Sequence, residues 1–304
     1  MRIYTFTGNE NWICDRFAEE WVSHNGEVSS SPEEADIVWI ISPWLWQPLP
    51  LPLLQEKKVV VTIHHLVREK FTKMSLKEFL YRDAFVDIYH VPCEQTKSFI
   101  ERITKKPIFV IPFWVNQDIW YPITDKNGLK ASFDLDPTKF LIGSFQRDTE
   151  GHDLVSPKLE KGPDLFCDIV EKMYSSNKNI EVVLAGWRRQ YVMRRLSEKN
   201  IKFHYYELPS FETLNKLYNI LDLYLVSARC EGGPQAIVEC AATETPIIST
   251  DVGIASKILS PESIYQIEKY DLAKPDVNHA KDKVKDYYIP KGFDKFAEMF
   301  ANPL

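Results

Sequence analysis

Glu231 and Glu239, eight residues apart, bracket a Glu-Gly-Gly-Pro turn and the start of a helix. The run before them, Asp222-Leu-Tyr-Leu-Val-Ser-Ala, is the apolar stretch of a buried strand. The order is therefore strand, glycine turn, helix. Gly232 and Gly233 let a ligand approach the backbone, and Pro234 suits a first helical turn, where its missing N–H would have had no partner. Free amides at such a turn, with a helix dipole behind them, attract an anion such as a phosphate. The carboxylates suit neutral hydroxyls instead, because an ionised carboxylate accepts two or more hydrogen bonds from a diol. A phosphate and two diols describe a sugar nucleotide. Two surface glutamates on an exposed helix would need none of this order, so the order favours a site.

Two cations stand near another strand end. Gly143-Ser-Phe-Gln-Arg147 and Lys161-Gly-Pro-Asp164 flank a long polar loop, and Arg147 and Lys161 could neutralise a departing diphosphate. Lys158 competes with Lys161 for that place. Thr62-Ile-His64-His65-Leu66 follows a third buried run, and ligands of open α/β sheets bind beyond the carboxyl ends of strands. A histidine there, His64 first and His65 second, can hydrogen-bond a sugar or the scissile oxygen. A paired-histidine metal site would need a third ligand nearby, which the sequence does not offer, so no metal and no cofactor is expected. No turn has the spaced glycines of a dinucleotide fingerprint.

These groups need strands to hold them. Near-continuous apolar runs at Asp36–Ile41, Lys58–Ile63, Val86–His90 and Pro107–Ile111 alternate with helical spacing at Trp12–Val22, Leu76–Tyr81 and Glu94–Thr104. Phe140–Phe145, Ile180–Gly186, Lys202–Tyr206, Leu221–Ser227 and Pro246–Thr250 repeat the pattern, with helices at Asp164–Tyr174, Tyr191–Lys199, Phe211–Ile220 and Gln235–Thr243. Alternating strands and helices predict parallel sheets covered on both faces. The polar, turn-rich stretch 118–136 is the candidate linker. The expected organisation is an N-terminal domain over 1–125, a C-terminal domain over 135–285, and a last helix in 286–304 that packs back on the N-terminal domain. Pro43-Trp-Leu-Trp-Gln-Pro-Leu-Pro-Leu-Pro-Leu53 reads as neither helix nor central strand. It could line an acceptor pocket or touch a lipid surface near the basic stretch Arg68–Lys77, or simply pack over the domain edge.

The segment Glu231–Glu239 resembles the E-x7-E motif of retaining glycosyltransferases of the GT-B fold, family 4 (glycosyl transferases group 1). Leu214–Val226, Pro246–Ala255, Gly143–Pro163 and Val182–Gly186 resemble the same family, specifically over 140–260 and more loosely over 1–120. The resemblance implies two Rossmann-like α/β domains facing each other across a cleft. It assigns Glu231, Gly232, Gly233, Pro234 and Glu239 to the donor, and Arg147 and Lys161 to its phosphates. It matches His64 to the family's histidine after the strand, and Gly8 to the glycine turn near the phosphates, although a second glycine is missing there. Leu208 falls in a loop whose main chain touches the base in relatives. The implied reaction is metal-independent sugar transfer from a nucleotide-diphosphate sugar to a hydroxyl acceptor (a glycan, a lipid-linked saccharide or a small molecule) with retention. A non-catalytic sugar-nucleotide-binding protein and a nucleotide-sugar epimerase are the alternatives on the same architecture.

Composition sets the frame. The 304 residues, 44% hydrophobic and 26% charged, suit two globular domains. A net charge of −6 disfavours a nucleic-acid partner, which needs dense positive charge. Five cysteines without a C-x-x-C pair suit reduced thiols, and no leader or membrane-spanning run is expected. The expected location is cytoplasmic, with peripheral contact on the inner face of a membrane allowed.

Overall fold

The computed structural model describes residues 1–6, 13–26, 28–151 and 153–303. It divides into two compact units, Met1–Trp114 with Ile289–Leu304, and Val115–Tyr288.

Unit 1 holds a five-stranded, all-parallel sheet in the order β1 (Ile3–Thr5), β2 (Ile37–Ile40), β3 (Lys58–Thr62), β4 (Ile88–Val91), β5 (Ile108–Val110). Every residue of β2 and β4 is buried, which is why those runs carry no polar alternation. The helices are α1 (Ile13–His24), α2 (Leu51–Glu56), α3 (Lys73–Asp83) and α4 (Glu94–Ile100). Trp21, Trp39 and Trp114 pack edge-on against Phe293, Phe296 and Phe300 of the returning C-terminal segment. Trp114 Nε1 donates to Glu20 Oε2 at 2.7 Å, so the indole is not left unpaired in the core. One reading of the proline-rich stretch needs correction. Leu51–Leu53 are helical, because Pro50 stands at the N-cap and Pro52 in the first turn, where neither removes a helical hydrogen bond.

Unit 2 holds six parallel strands in the order β11-β10-β9-β6-β7-β8. They are β6 (Phe140–Ser144), β7 (Ile180–Ala185), β8 (Phe203–Tyr206), β9 (Leu223–Val226), β10 (Ile247–Thr250) and β11 (Ile264–Tyr265). Around them lie α5 (Lys126–Ser132), α6 (Pro163–Ser176), α7 (Gln190–Glu198), α8 (Phe211–Ile220), α9 (Gln235–Ala242), α10 (Ala255–Ile258) and α11 (Val277–Val284); α12 (Asp294–Ala301) belongs to unit 1. Chain order runs outward from β6 to β8, then restarts on the other side of β6 at β9. That reversal is the topological switch point of a doubly wound sheet, the position at which open α/β sheets generally bind their ligands. Gly143 lets β6 pass Leu221 closely, since a Cβ there would lie 2.2 Å from Leu221 Cδ1.

The stretch read as a linker lies inside unit 2. Lys126 and Lys130 both reach Asp222, at 2.8 and 3.1 Å, and the Asn215 and Asn219 side chains accept from the backbone N–H groups of Tyr121 and Ile123. These long-range bonds fix a segment whose local sequence is all turn signals. The division consequently falls at Trp114/Val115 and at Tyr288/Ile289. The cysteines form no disulfide among the described residues, and no described helix is long and apolar enough to cross a membrane.

Candidate functional site

The end of β9 is held from three sides. Thr250 Oγ1 donates to Ala228 O at 2.6 Å and Tyr265 Oη to Val226 O at 2.7 Å. On the third side, Gly162 sits against Ser227, whose hydroxyl donates to Gly162 O at 2.8 Å. Gly162 has φ +63, and a Cβ there would lie 1.8 Å from Ser227 O. The N–H groups of Arg229 and Cys230 both donate to Glu160 O, and the Arg229 guanidinium grips Asp164 with two bonds of 2.8 and 2.6 Å. The turn before α6 is thereby locked to the turn after β9.

That lock brings the predicted groups together. The Lys161 ammonium pairs with Glu231 Oε1. Gln146 Nε2, from the loop after β6, donates to Lys161 O at 2.7 Å. Arg147 stands beside it with Nε on Thr149 O at 2.9 Å, and burial, then the charge of Arg188, lower its proton affinity. Lys158 turns to Glu160 at 3.5 Å, so of the two competing lysines it is Lys161 that meets Glu231. Burial lowers the Lys158 pKa; Glu160 pulls it back up, and the charges of Lys161 and Arg147 push it down. Cations have been gathered here at an electrostatic cost, and an anion relieves such crowding.

The Gly232–Gly233–Pro234 turn leads into α9, whose N-cap residue, Pro234, has no side-chain acceptor of its own to offer the helix. Gly253, at φ +57 after β10, backs this turn so closely that a Cβ would lie 2.5 Å from Gly232 O. Glu231 and Glu239 are 9% and 5% exposed, so neither is the surface glutamate that an ordinary solvated helix would carry. Glu239 Oε2 accepts from Tyr218 Oη at 2.7 Å, and burial, then the Glu239 charge, raise the tyrosine pKa well above its usual value. Tyr218 thus remains a donor that orients the carboxylate.

Other predicted residues stand as follows. Leu208 is 62% exposed, at φ +44, a strained backbone for leucine in the loop between β8 and α8. His64 lies just past β3 in unit 1. Its Nε2 is 2.9 Å from Ile41 O and 3.4 Å from Cys14 Sγ, and its ring stacks on Phe113. No cluster of three metal-ligating side chains forms around it among the described residues. Gly8 lies outside the described residues.

Sequence reading passed over Tyr218 and the pair Arg189–Asp148. Arg189 is 1% exposed, with Nε 3.4 Å from Asp148 Oδ2 and Nη2 3.3 Å from Ser144 Oγ. Asp148 also accepts from the N–H groups of Tyr191 and Val192 at the start of α7. The residue next to Arg147 is thus pinned from below. The available signal was Gly186-Trp-Arg-Arg at the end of a buried strand, where two arginines are out of place unless one of them turns inward.

Residues 157–290 match the family described as glycosyl transferases group 1. The lipopolysaccharide core biosynthesis mannosyltransferase LpsB of Rhizobium meliloti (strain 1021) is 24% identical over 161 residues, 51% of this chain and 43% of that protein. The alpha-galactosylglucosyldiacylglycerol synthase of Streptococcus pneumoniae is 24% identical over 166 residues, 52% of this chain and 41% of that protein. The chain thus matches less than half the length of either curated relative. Among solved structures, Anabaena Alr3699/HepE in complex with UDP and glucose superposes with a TM-score of 0.75 at 10% identity, covering 99% of both chains. Sucrose-phosphate synthase from Thermosynechococcus elongatus gives 0.66 at 14% identity, covering 88% of this chain and 73% of that one. At such identities the likeness concerns the fold, which is that of GT-B glycosyltransferases: two parallel-sheet α/β domains.

Proposed function

We propose that this chain, whose residues 157–290 match the glycosyl transferases group 1 family, is a glycosyltransferase that moves a sugar from a nucleotide-diphosphate sugar to a hydroxyl acceptor with retention of configuration. The observation that carries this is the lock at the switch point of unit 2, where Lys161, Glu231 and the start of α9 meet at the end of β9. The amides after Glu231 hold the diphosphate, with Arg147 and Lys161 offsetting its charge as it leaves. Glu231 takes hydroxyls of the transferred sugar, and Glu239, aimed by Tyr218, takes the ribose diol. Leu208 offers its main chain to the base. His64 hydrogen-bonds the transferred sugar. With cations and amides facing the phosphates, this reading calls for no metal.

Support comes from the family match, from relatives named as a mannosyltransferase and a glycosyldiacylglycerol synthase, and from a structural neighbour that binds UDP and glucose. The test is a thermal-shift screen across uridine, guanosine, adenosine and thymidine diphosphate sugars, since a ligand of the folded state alone raises Tm. Product analysis follows with the donor that stabilises. Sugar transferred to an added hydroxyl compound supports the proposal. Epimerised free sugar, or binding without turnover, would replace it with one of the two alternatives.

A further inference from the structure

Unit 1 contains a groove of about 550 Å³, formed by the segment after β2, the segment after β3 and the exposed side of α3. That volume is within the usual range of small-molecule sites, roughly 300–1,000 Å³. Its apolar wall is Trp44, Trp46, Phe71, Met74 and Tyr81. Trp44, Met74 and Tyr81 are 42%, 62% and 54% exposed, a density of large apolar surface that a solvated face does not need. Trp46 and Tyr81 rest against each other at 5.5 Å, and a capping box on Thr72 and Ser75 fixes the start of α3.

The charge around this wall has one sign in excess. Lys70, Lys77 and Arg82 line the groove, and among the described lining residues Glu78 carries the opposite charge; Asp83 also acts on Arg82. Arg82 is 8% exposed; its Nη1 donates to Pro43 O at 3.1 Å, and its Nε has no hydrogen-bond partner. A buried guanidinium with an unused donor is costly unless an acceptor completes it, and its fork geometry suits a phosphate or carboxylate. Burial lowers its proton affinity while Tyr89, Glu78 and Asp83 pull it back up, so the guanidinium remains a cation facing the groove's ligand.

We propose that this groove binds an amphiphilic anion in free solution, with its apolar part along Trp44, Trp46 and Tyr81 and its phosphate or carboxylate toward Arg82, Lys70 and Lys77. Its role as the acceptor of the transferred sugar rests on the transferase reading above; the binding itself does not.

The probe is octyl phosphate, titrated calorimetrically into the full chain below its aggregation concentration. Octyl glucoside supplies the same tail without charge, and inorganic phosphate the charge without the tail. Octyl phosphate is expected to saturate one site at least about tenfold more tightly than either control, and to weaken as salt rises. Lys70 and Lys77 are exposed, so the double variant Lys70→Ala/Lys77→Ala keeps the fold and should lose affinity by about tenfold. Arg82→Met should lose more, with its Tm measured alongside. Equal binding of octyl phosphate and octyl glucoside, or octyl phosphate binding untouched by the lysine substitutions, overturns the proposal. Donor binding is scored on the same lysine variant by thermal shift. A failed donor screen removes the acceptor role and leaves the groove's ligand class standing on its own result.

Discussion

Lys161 and Glu231, 70 residues apart in the chain, form an ion pair at the end of β9. A diphosphate that takes the ammonium would release Glu231 Oε1 for a sugar hydroxyl, so one event would prepare both subsites. Glu231→Gln should therefore separate two ligands. The nucleoside diphosphate, which asks only for the cation, should bind as well as or better than in the parent. The full nucleotide sugar should lose about 1–3 kcal/mol of affinity with its charged acceptor gone. Lys161→Met should weaken both ligands and lower kcat/KM by about 10²–10³-fold, with part of it restored in Lys161→Arg. Calorimetry and steady-state kinetics check this; if Glu231→Gln weakens both ligands equally, the Lys161–Glu231 pair has no such role.

Glu239 and Tyr218 form the other couple. Glu239→Ala removes the proposed ribose clamp and strands a buried tyrosine hydroxyl, so it should weaken donor binding by about tenfold or more and cost roughly 1–3 kcal/mol of stability. Tyr218→Phe leaves the carboxylate in place with one bond fewer, and its donor affinity should fall by less. Unchanged donor affinity in Glu239→Ala would remove the clamp. A Tyr218→Phe loss equal to that of Glu239→Ala would show orientation, not the carboxylate itself, to be what the donor reads.

Gly162→Ala tests the lock at the end of β9. The added methyl meets the Ser227 carbonyl, and the backbone is already in the left-handed region. Strain and overpacking together should cost on the order of 3 kcal/mol, with unit 2 melting about 6–12 °C lower. Because Lys161 precedes Gly162, catalysis should suffer more than the melting point alone accounts for. Gly26→Ala, with open space at its Cβ and an ordinary φ, is the control and should change Tm little.

The strand runs and the Glu231–Glu239 segment were legible because each is local: buried parallel strands lack alternation, and a glycine turn before a helix is written in consecutive residues. The helix expected over Phe211–Ile220 has those bounds in the structure, where Ser210 caps it by accepting from Thr213 N–H and Leu221 leaves for the strand. What stayed hidden depends on partners far along the chain. Lys126 and Lys130 look like linker residues until Asp222 is placed beside them. Arg189 looks like a surface cation until Asp148 is found beneath it. Tyr218 is one apolar position of a helix until Glu239 accepts its hydroxyl. No periodicity encodes these pairs, because each is set by how two segments distant in the chain pack.

A hydrogen-bond chain in unit 1 gives a pH prediction. Trp39 Nε1 donates to Thr62 Oγ1 at 2.9 Å, so the Thr62 hydroxyl is turned to donate to His90 Nδ1, also at 2.9 Å. His90 Nε2–H then donates to Ile111 O at 2.7 Å. A proton on Nδ1 would face a donor, and the fully buried ring has no water to take its charge. Burial first, and His64 as a further charge, bring the His90 pKa down to about 3 against the ordinary 6.5, despite the Ile111 carbonyl. The unfolded chain therefore binds this proton more readily than the folded one. The stabilisation is complete above about pH 6.5 and declines as pH falls toward about 3, at close to 1.4 kcal/mol per pH unit in the middle of that window. Six of the eight tryptophans belong to unit 1, so urea unfolding followed by tryptophan fluorescence reports mainly on it. Between pH 7 and 4.5 the midpoint should fall more steeply for the parent than for His90→Gln, which keeps polar groups at the site but cannot titrate. The variant is expected to be less stable at pH 7 and to lose less on acidification. Parallel slopes for the two proteins would mean that the buried imidazole is not what acid attacks.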